Sequence, residues 1–216
     1  MAQEKIRDSR TRDIGSYSFK EFKDMVVKFH GYPAAGVLIG GYMVEAAKER
    51  MPEGAQFEVI VETRKCLPDA VQLLTSCTVG NNWMRVVNLG RYALAMYEKY
   101  SGQGVRVAID SERLKEWSHI RAWLLKLLPK HLQDSERLLD EIEKAGDSIL
   151  SIADVCVRSD HLGKLSMGKI DICPVCREAY PQKDGSICKG CQGDAPYIDS
   201  VVANPMMQKC MGEKPV

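Results

Sequence analysis

The stretch Trp83–Ile109 reads WMRVVNLGRYALAMYEKYSGQGVRVAI. Apolar and polar side chains alternate across 83–88, 92–97 and 105–109. Turn signals, Leu89-Gly90 and Ser101-Gly102-Gln103-Gly104, separate the three runs. A period of two places every second side chain on one dry face, which is the mark of a sheet. Short glycine-bearing connections join antiparallel neighbours, so the spacing predicts a run of hairpins. Upstream, Phe57, Val59 and Val61 alternate in the same way and predict a strand over 57–63.

The flanking sequence changes period. Ser18 and Glu21 have the spacing of a capping box, and Phe22, Met25, Val26 and Phe29 repeat as one helical face, predicting a helix over 19–29. His30-Gly31-Tyr32-Pro33 breaks it. A second helix is predicted over 34–49, with Gly40 and Gly41 allowing close packing, and a short one over 68–74 after Pro68. Asp110 or Ser111 is expected to cap a helix burying Leu114, Trp117, Ile120, Leu124 and Leu128, which Pro129 interrupts. Another helix carries Leu138, Leu139 and Ile142 to Gly146, and the β-branched run 149–157 reads as an edge strand. The expected class is α+β. The expected divisions are a tail over 1–16, an α+β domain over 17–160, a four-cysteine domain over 161–200 and a tail over 201–216.

Cys173, Cys176, Cys188 and Cys191 form two Cys-x2-Cys knuckles. Four soft thiolates with no open position make a structural zinc site, and one zinc ion is expected there. The remaining cysteines, at 66, 77, 156 and 210, show no disulfide framework, which fits a reducing compartment. The chain carries 30 basic and 29 acidic residues, and residues 166–216 hold six of each, so a nucleic-acid surface is not expected. No apolar run reaches membrane-spanning length, and Met1 to Asp13 lacks the apolar centre of a signal peptide. A soluble, cytoplasmic protein is the expectation. Gly31 to Gly36 has the end glycines of a phosphate loop, but Val37-Leu38 stand where Lys and Ser or Thr belong, which excludes that site.

Three segments resemble one family. Phe29-His30-Gly31-Tyr32-Pro33-Ala34-Ala35-Gly36 is similar to the Phe-His-Gly-His-x-Cys-Pro-Gly signature of the FmdE family, named for the E component of formylmethanofuran dehydrogenase. Cys66-Leu67-Pro68-Asp69-Ala70-Val71-Gln72, continuing to Ser76-Cys77-Thr78-Val79-Gly80, resembles its second motif, and the 102–107 hairpin and the four-cysteine module also match. The resemblance implies a mixed, largely antiparallel five-stranded sheet flanked by helices, thioredoxin-like in appearance, and a treble-clef zinc finger. It implies a pocket lined by His30, Tyr32, Cys66 and Cys77, with His30 and Cys77 facing one cleft. Tyr32 and Ala34 replace the signature's second histidine and its cysteine, so no intrinsic second metal is expected.

The implied function is an accessory or binding component of a molybdenum- or tungsten-dependent one-carbon redox system, partnered with molybdopterin or tungstopterin oxidoreductase subunits. A homodimer is also implied. An accessory role is favoured over an independent enzyme. Two rival readings stand beside it. One is a thiol enzyme with Cys77 as nucleophile and His30 as base. The other is a non-catalytic zinc-finger regulator. Each residue also has a plain reading, His30 as a helix end and Cys77 as buried core.

Overall fold

Strand β1 (Phe57–Val61) has a neighbour on each side, and their opposite directions set the topology. On one side β2 (Met84–Val86) runs parallel, with Val59 opposite Met84. On the other β3 (Ala93–Glu98) runs antiparallel, with Val61 opposite Leu94. Strands β4 (Gln103–Ile109) and β5 (Leu150–Cys156) add by antiparallel pairing, giving a five-stranded sheet in the order β2-β1-β3-β4-β5. A parallel pair needs a crossover, which helix α3 (Leu67–Leu74) supplies. The expected hairpin between 83–88 and 92–97 therefore does not form, because both strands flank β1. Alternation fixes which face a strand buries but not which strand it pairs with.

The computed structural model describes residues 13–163 and 166–197, in two compact units that divide between 164 and 165. Most of both tails expected from the sequence lies outside the described residues. Residues 13–16 do not: Ile14 is fully buried, so the approach to the first helix belongs to the core.

Val59, Val61, Leu94, Met96, Val105 and Val107 form the dry face of the sheet. Helix α2 (Ala35–Lys48) packs there and is buried almost all round. Its glycines set how closely neighbours approach. A Cβ at Gly40 would stand 2.7 Å from that of Ala70 on α3, and one at Gly41 would stand 2.5 Å from Phe22. Phe22 lies on helix α1 (Phe19–His30), whose start is fixed by the capping box, with Glu21 N donating to Ser18 Oγ and Ser18 N to Glu21 Oε2. The small residues of α2 are thus used within the chain.

The helix expected after Ser111 is interrupted. A single tight turn over Arg113–Glu116 gives way at Trp117 (φ −116°, ψ 76°) to the short helix α4 (Ser118–Leu124). Leu114 and Ile120 are buried as expected, but Leu128 is 44% exposed. Helix α5 (Ser135–Ala145) starts on the Asp134 cap and stops at Gly146 (φ 52°).

The opposite face of the sheet is charged. Arg106 donates to Glu62 through Nε and Nη2 at 2.7 and 2.9 Å, and Arg91 Nε lies 2.7 Å from the same carboxylate. The Arg106 hydrogen bonds hold the Glu62 carboxyl below its usual value. A depressed folded pKa adds stability that is complete above the unfolded value, about 4.3 for glutamate, and disappears as pH falls through the folded value. Glu62→Gln should therefore cost stability at pH 7 and a shrinking amount towards pH 3. Urea unfolding followed by tryptophan fluorescence checks this, since Trp83, Trp117 and Trp123 all lie in the first unit. A difference independent of pH would refute it.

In the second unit β6 (Ile170–Ile172) and β7 (Ala179–Pro181) form an antiparallel hairpin. Among its described residues only Cys173 and Tyr180 are buried.

Candidate functional site

The tip of the β6–β7 hairpin builds the first cysteine knuckle. Cys173 N donates to Glu178 O and Arg177 N to Cys173 O, both at 2.9 Å, with Arg177 at φ 68° turning the chain back. The second knuckle, Cys188 to Cys191, brings the other two sulfurs into range, and all four Sγ atoms lie within 4.8 Å of one another. Cys173 to Cys191 spans 3.8 Å and Cys176 to Cys188 spans 3.6 Å. A tetrahedron with zinc–sulfur bonds of ~2.3 Å needs sulfur separations of ~3.8 Å. Backbone amides support the thiolates: Cys188 N points at Cys173 Sγ from 3.5 Å and Cys191 N at Cys188 Sγ from 3.4 Å. The Cys188 amide is the main reason that the Cys173 thiol falls to about 6. The four cysteines fit one zinc ion, and the closed donor set makes it structural.

A cavity of about 760 Å³ opens in the first unit. One wall is the loop that follows α1. Gly31, at φ 92°, ends the helix and sends Tyr32 to Gly36 along the cavity. The second wall is Cys66. Leu67 N donates to Lys65 O at 2.5 Å, closing a γ-turn around Cys66 at φ 52° and ψ −47°. This turn is costly for a residue with a side chain, and such strain gathers at functional positions. The third wall comes from Trp123, Lys126 and the 128–139 segment, and Lys126 is also at positive φ.

Contacts within the wall fix its shape. Tyr92 donates its hydroxyl to Gly36 O at 2.6 Å, and its ring meets Trp123 edge-on at 5.8 Å. Burial pushes the Tyr92 phenol well above the ordinary tyrosine value, so it remains a donor. Lys130 Nζ sits 5.1 Å above the Tyr32 ring, a cation–π contact at the cavity wall. Burial, and then the charge of Asp69, push the Cys66 thiol up. Cys66 is a protonated thiol at neutral pH, the opposite of an activated nucleophile.

The structure divides the four residues expected to line one pocket. Tyr32 and Cys66 line the cavity, while His30 and Cys77 do not. His30 ends α1 and its Nδ1 lies 2.6 Å from Asp69 Oδ2 in the first turn of α3. Its ring also touches the edge of Tyr32, with centroids 4.9 Å apart. Cys77 is only 1% exposed, belongs to the apolar core and donates to Phe57 O at 3.6 Å. Burial pushes its thiol up as well. The expectation that His30 and Cys77 face one cleft is therefore corrected. The chain leaves α3 at Thr75 in extended form, which turns the small, apolar Cys77 inward. Iodoacetamide mapping of the zinc-loaded protein should modify exposed Cys156 first, half-buried Cys66 next and Cys77 last. Cys77 reacting ahead of Cys66 would contradict this placement.

The sequence reading missed Asp69, Trp123, Lys126 and Lys130. The one available signal was the leucine-rich 124–132 stretch, too apolar for a solvated turn. The cavity's donors do not suit a second metal. Ala34 offers none, Tyr32 offers a phenol, His30 is held by Asp69, and Cys66 keeps its proton. Among the described residues, the four-cysteine group is the one cluster of three or more His, Cys, Asp or Glu side chains with converging ligand atoms.

Comparison with known proteins agrees with both units. Residues 29–157 match the family described as "FmdE, Molybdenum formylmethanofuran dehydrogenase operon", and residues 164–198 match the "FmdE treble clef zinc finger". A crystal structure of an FmdE-like protein of tungsten formylmethanofuran dehydrogenase, from Syntrophus aciditrophicus, superposes with a TM-score of 0.81 at 50% identity. That match covers 87% of this chain and 99% of that one. A probable S-adenosyl-L-methionine-binding protein from Archaeoglobus fulgidus is 29% identical over 77% of this chain. The chain spans about half the length of that relative, 51%. No helix among the described residues is long and apolar enough to cross a membrane. With a family match across more than half its length, the chain belongs to the FmdE family and carries that family's treble-clef zinc finger.

Proposed function

We propose that the chain is a ligand-holding accessory component of a molybdenum- or tungsten-dependent one-carbon redox system, with the Tyr32–Cys66–Trp123 cavity as its binding site. The observation that carries this reading is the state of the cavity's thiol. Cys66 is presented by a strained turn at the end of a helix, yet burial keeps it protonated, and no imidazole is placed to take its proton, because His30 is bound to Asp69. That is a wall built to hold something rather than to attack it. The family description and the FmdE-like neighbour of the tungsten enzyme supply the redox context. Mixing the purified chain with molybdenum or tungsten formylmethanofuran dehydrogenase subunits should give co-migration in size-exclusion chromatography. Separate elution at micromolar concentrations would overturn the accessory role.

A second reading rests on the S-adenosyl-L-methionine-binding relative. The aromatic faces of Tyr32 and Trp123 suit a sulfonium cation, and Lys130 suits a carboxylate. Calorimetric titration with S-adenosylmethionine separates the two. Saturable micromolar binding, weakened about tenfold or more by Trp123→Ala, would favour this reading. Absence of heat at millimolar ligand would remove it.

A further inference from the structure

We propose that a second cavity, at the start of β1 and β2, binds a flat two-ring N–H heterocycle with an anionic substituent, of the purine nucleotide type. This cavity encloses about 410 Å³ and is lined by Phe57, Glu58, Trp83, Lys99, Gln56 and Ser76, with Ala55. None of these residues lines the Cys66 cavity, so the inference stands apart from the function proposed above.

Glu58 carries the argument. It is 1% exposed, and its two carboxylate oxygens are treated differently. Tyr97 donates its hydroxyl to Oε2 at 3.0 Å, and Arg85 Nη2 lies 3.7 Å from the same atom. Oε1 is buried and has no hydrogen-bond partner among the described residues. Neighbouring donors are committed elsewhere. Arg85 Nη2 gives hydrogen bonds to Tyr97 Oη, at 2.6 Å, and to His161 O. Buried carboxylate oxygens nearly always find a donor, so an orphan on the wall of a ligand-sized cavity marks the place of a missing N–H or O–H group.

The other walls narrow the class. Phe57 and Trp83 offer aromatic surface to a planar ring. Lys99 puts a cation on the same wall, which disfavours a cationic ligand and favours an anionic substituent on a neutral ring. A neutral N–H edge for Glu58, a ring for Trp83 and an anion for Lys99 describe one compact molecule. The volume suits two fused rings with a short charged tail.

The probes are guanosine 5′-monophosphate, whose base edge donates N–H, and purine riboside 5′-monophosphate, which lacks those donors. Calorimetric titration of the full zinc-loaded chain should show saturable binding of the first, about tenfold or more tighter than the second. Glu58→Gln keeps an acceptor for Tyr97 but turns an amide donor toward the cavity. It should weaken guanosine monophosphate about tenfold or more while leaving purine riboside monophosphate nearly unchanged. Lys99→Ala should weaken both nucleotides by a similar factor and lessen their salt dependence. Equal binding of the two probes, no saturable heat at millimolar concentration, or unchanged affinity in Glu58→Gln would each overturn the proposal. Should Glu58→Gln fail to fold, the two-probe comparison on the unaltered chain decides alone.

Discussion

Stripping zinc with a strong chelator should unfold residues 166–197 and leave the first unit's melting unchanged. The second unit has almost nothing else to hold it. Its described residues bury only Cys173 and Tyr180, while Ile170, Ile172, Val175 and Tyr197 are all more than half exposed. Full burial of one large side chain is worth about 1.5–3 kcal/mol, against ~10–16 kcal/mol for structural zinc in a small finger. The metal is the core of this unit. Cys173→Ser should lower zinc affinity by more than the 10–100-fold that loss of an outer hydrogen bond typically costs, because it removes a ligand outright. Cys173 is the most consequential choice, since it is the buried member and receives the Cys188 amide. Zinc content, amide exchange over 166–197 and tryptophan fluorescence from the first unit give three separate readouts. Full zinc retention in Cys173→Ser, or a parallel fall in the tryptophan transition, would show the assignment to be wrong.

The zinc site was legible because its information is local. Two knuckles of fixed spacing decide both the ligands and the metal, and no distant contact is needed. The faces of the strands were legible for a similar reason, since Val59, Val61, Leu94 and Met96 keep their period wherever they pair. Pairing partners were less so. Nothing in Trp83 to Asn88 says that β2 returns parallel to β1 across α3. The cavity was the least legible part. Cys66 and Cys77 stand on either side of an eight-residue helix, and spacing alone cannot tell which one faces outward. The answer lies in a γ-turn at Cys66 and an inward turn after Thr75, both backbone features without a residue signature. His30 and Asp69 are 39 positions apart, and their ion pair removes the imidazole from the role that motif order suggested.

Gly36→Ala should be the most damaging single change in the cavity wall. A Cβ there would stand 2.6 Å from Tyr92 Oη, 2.7 Å from Cys66 Cβ and 3.1 Å from Cys66 Sγ. The first two distances are too short for any real contact, so something must move. Cys66 Cβ cannot yield easily, because the γ-turn fixes its backbone at the head of α3. Tyr92 could swing away only by giving up its 2.6 Å hydrogen bond to Gly36 O and its edge contact with Trp123. Overpacking of this kind costs about 1–3 kcal/mol, and the lost hydrogen bond adds ~1 kcal/mol. A total of ~2–4 kcal/mol corresponds to a fall in Tm on the order of 10 °C for a unit of this size. The displaced Cys66 should also alkylate faster, because its burial is part of what keeps it protonated. Gly80→Ala is the matched control: its new Cβ meets nothing nearer than Thr78 Oγ1 at 3.9 Å and should change stability by less than about 0.5 kcal/mol. Thermal melts of both variants, read through tryptophan fluorescence, test the geometry directly. A Gly36→Ala protein as stable as the Gly80→Ala control, with Cys66 no more reactive, would mean that α2, Cys66 and Tyr92 do not meet as closely as described.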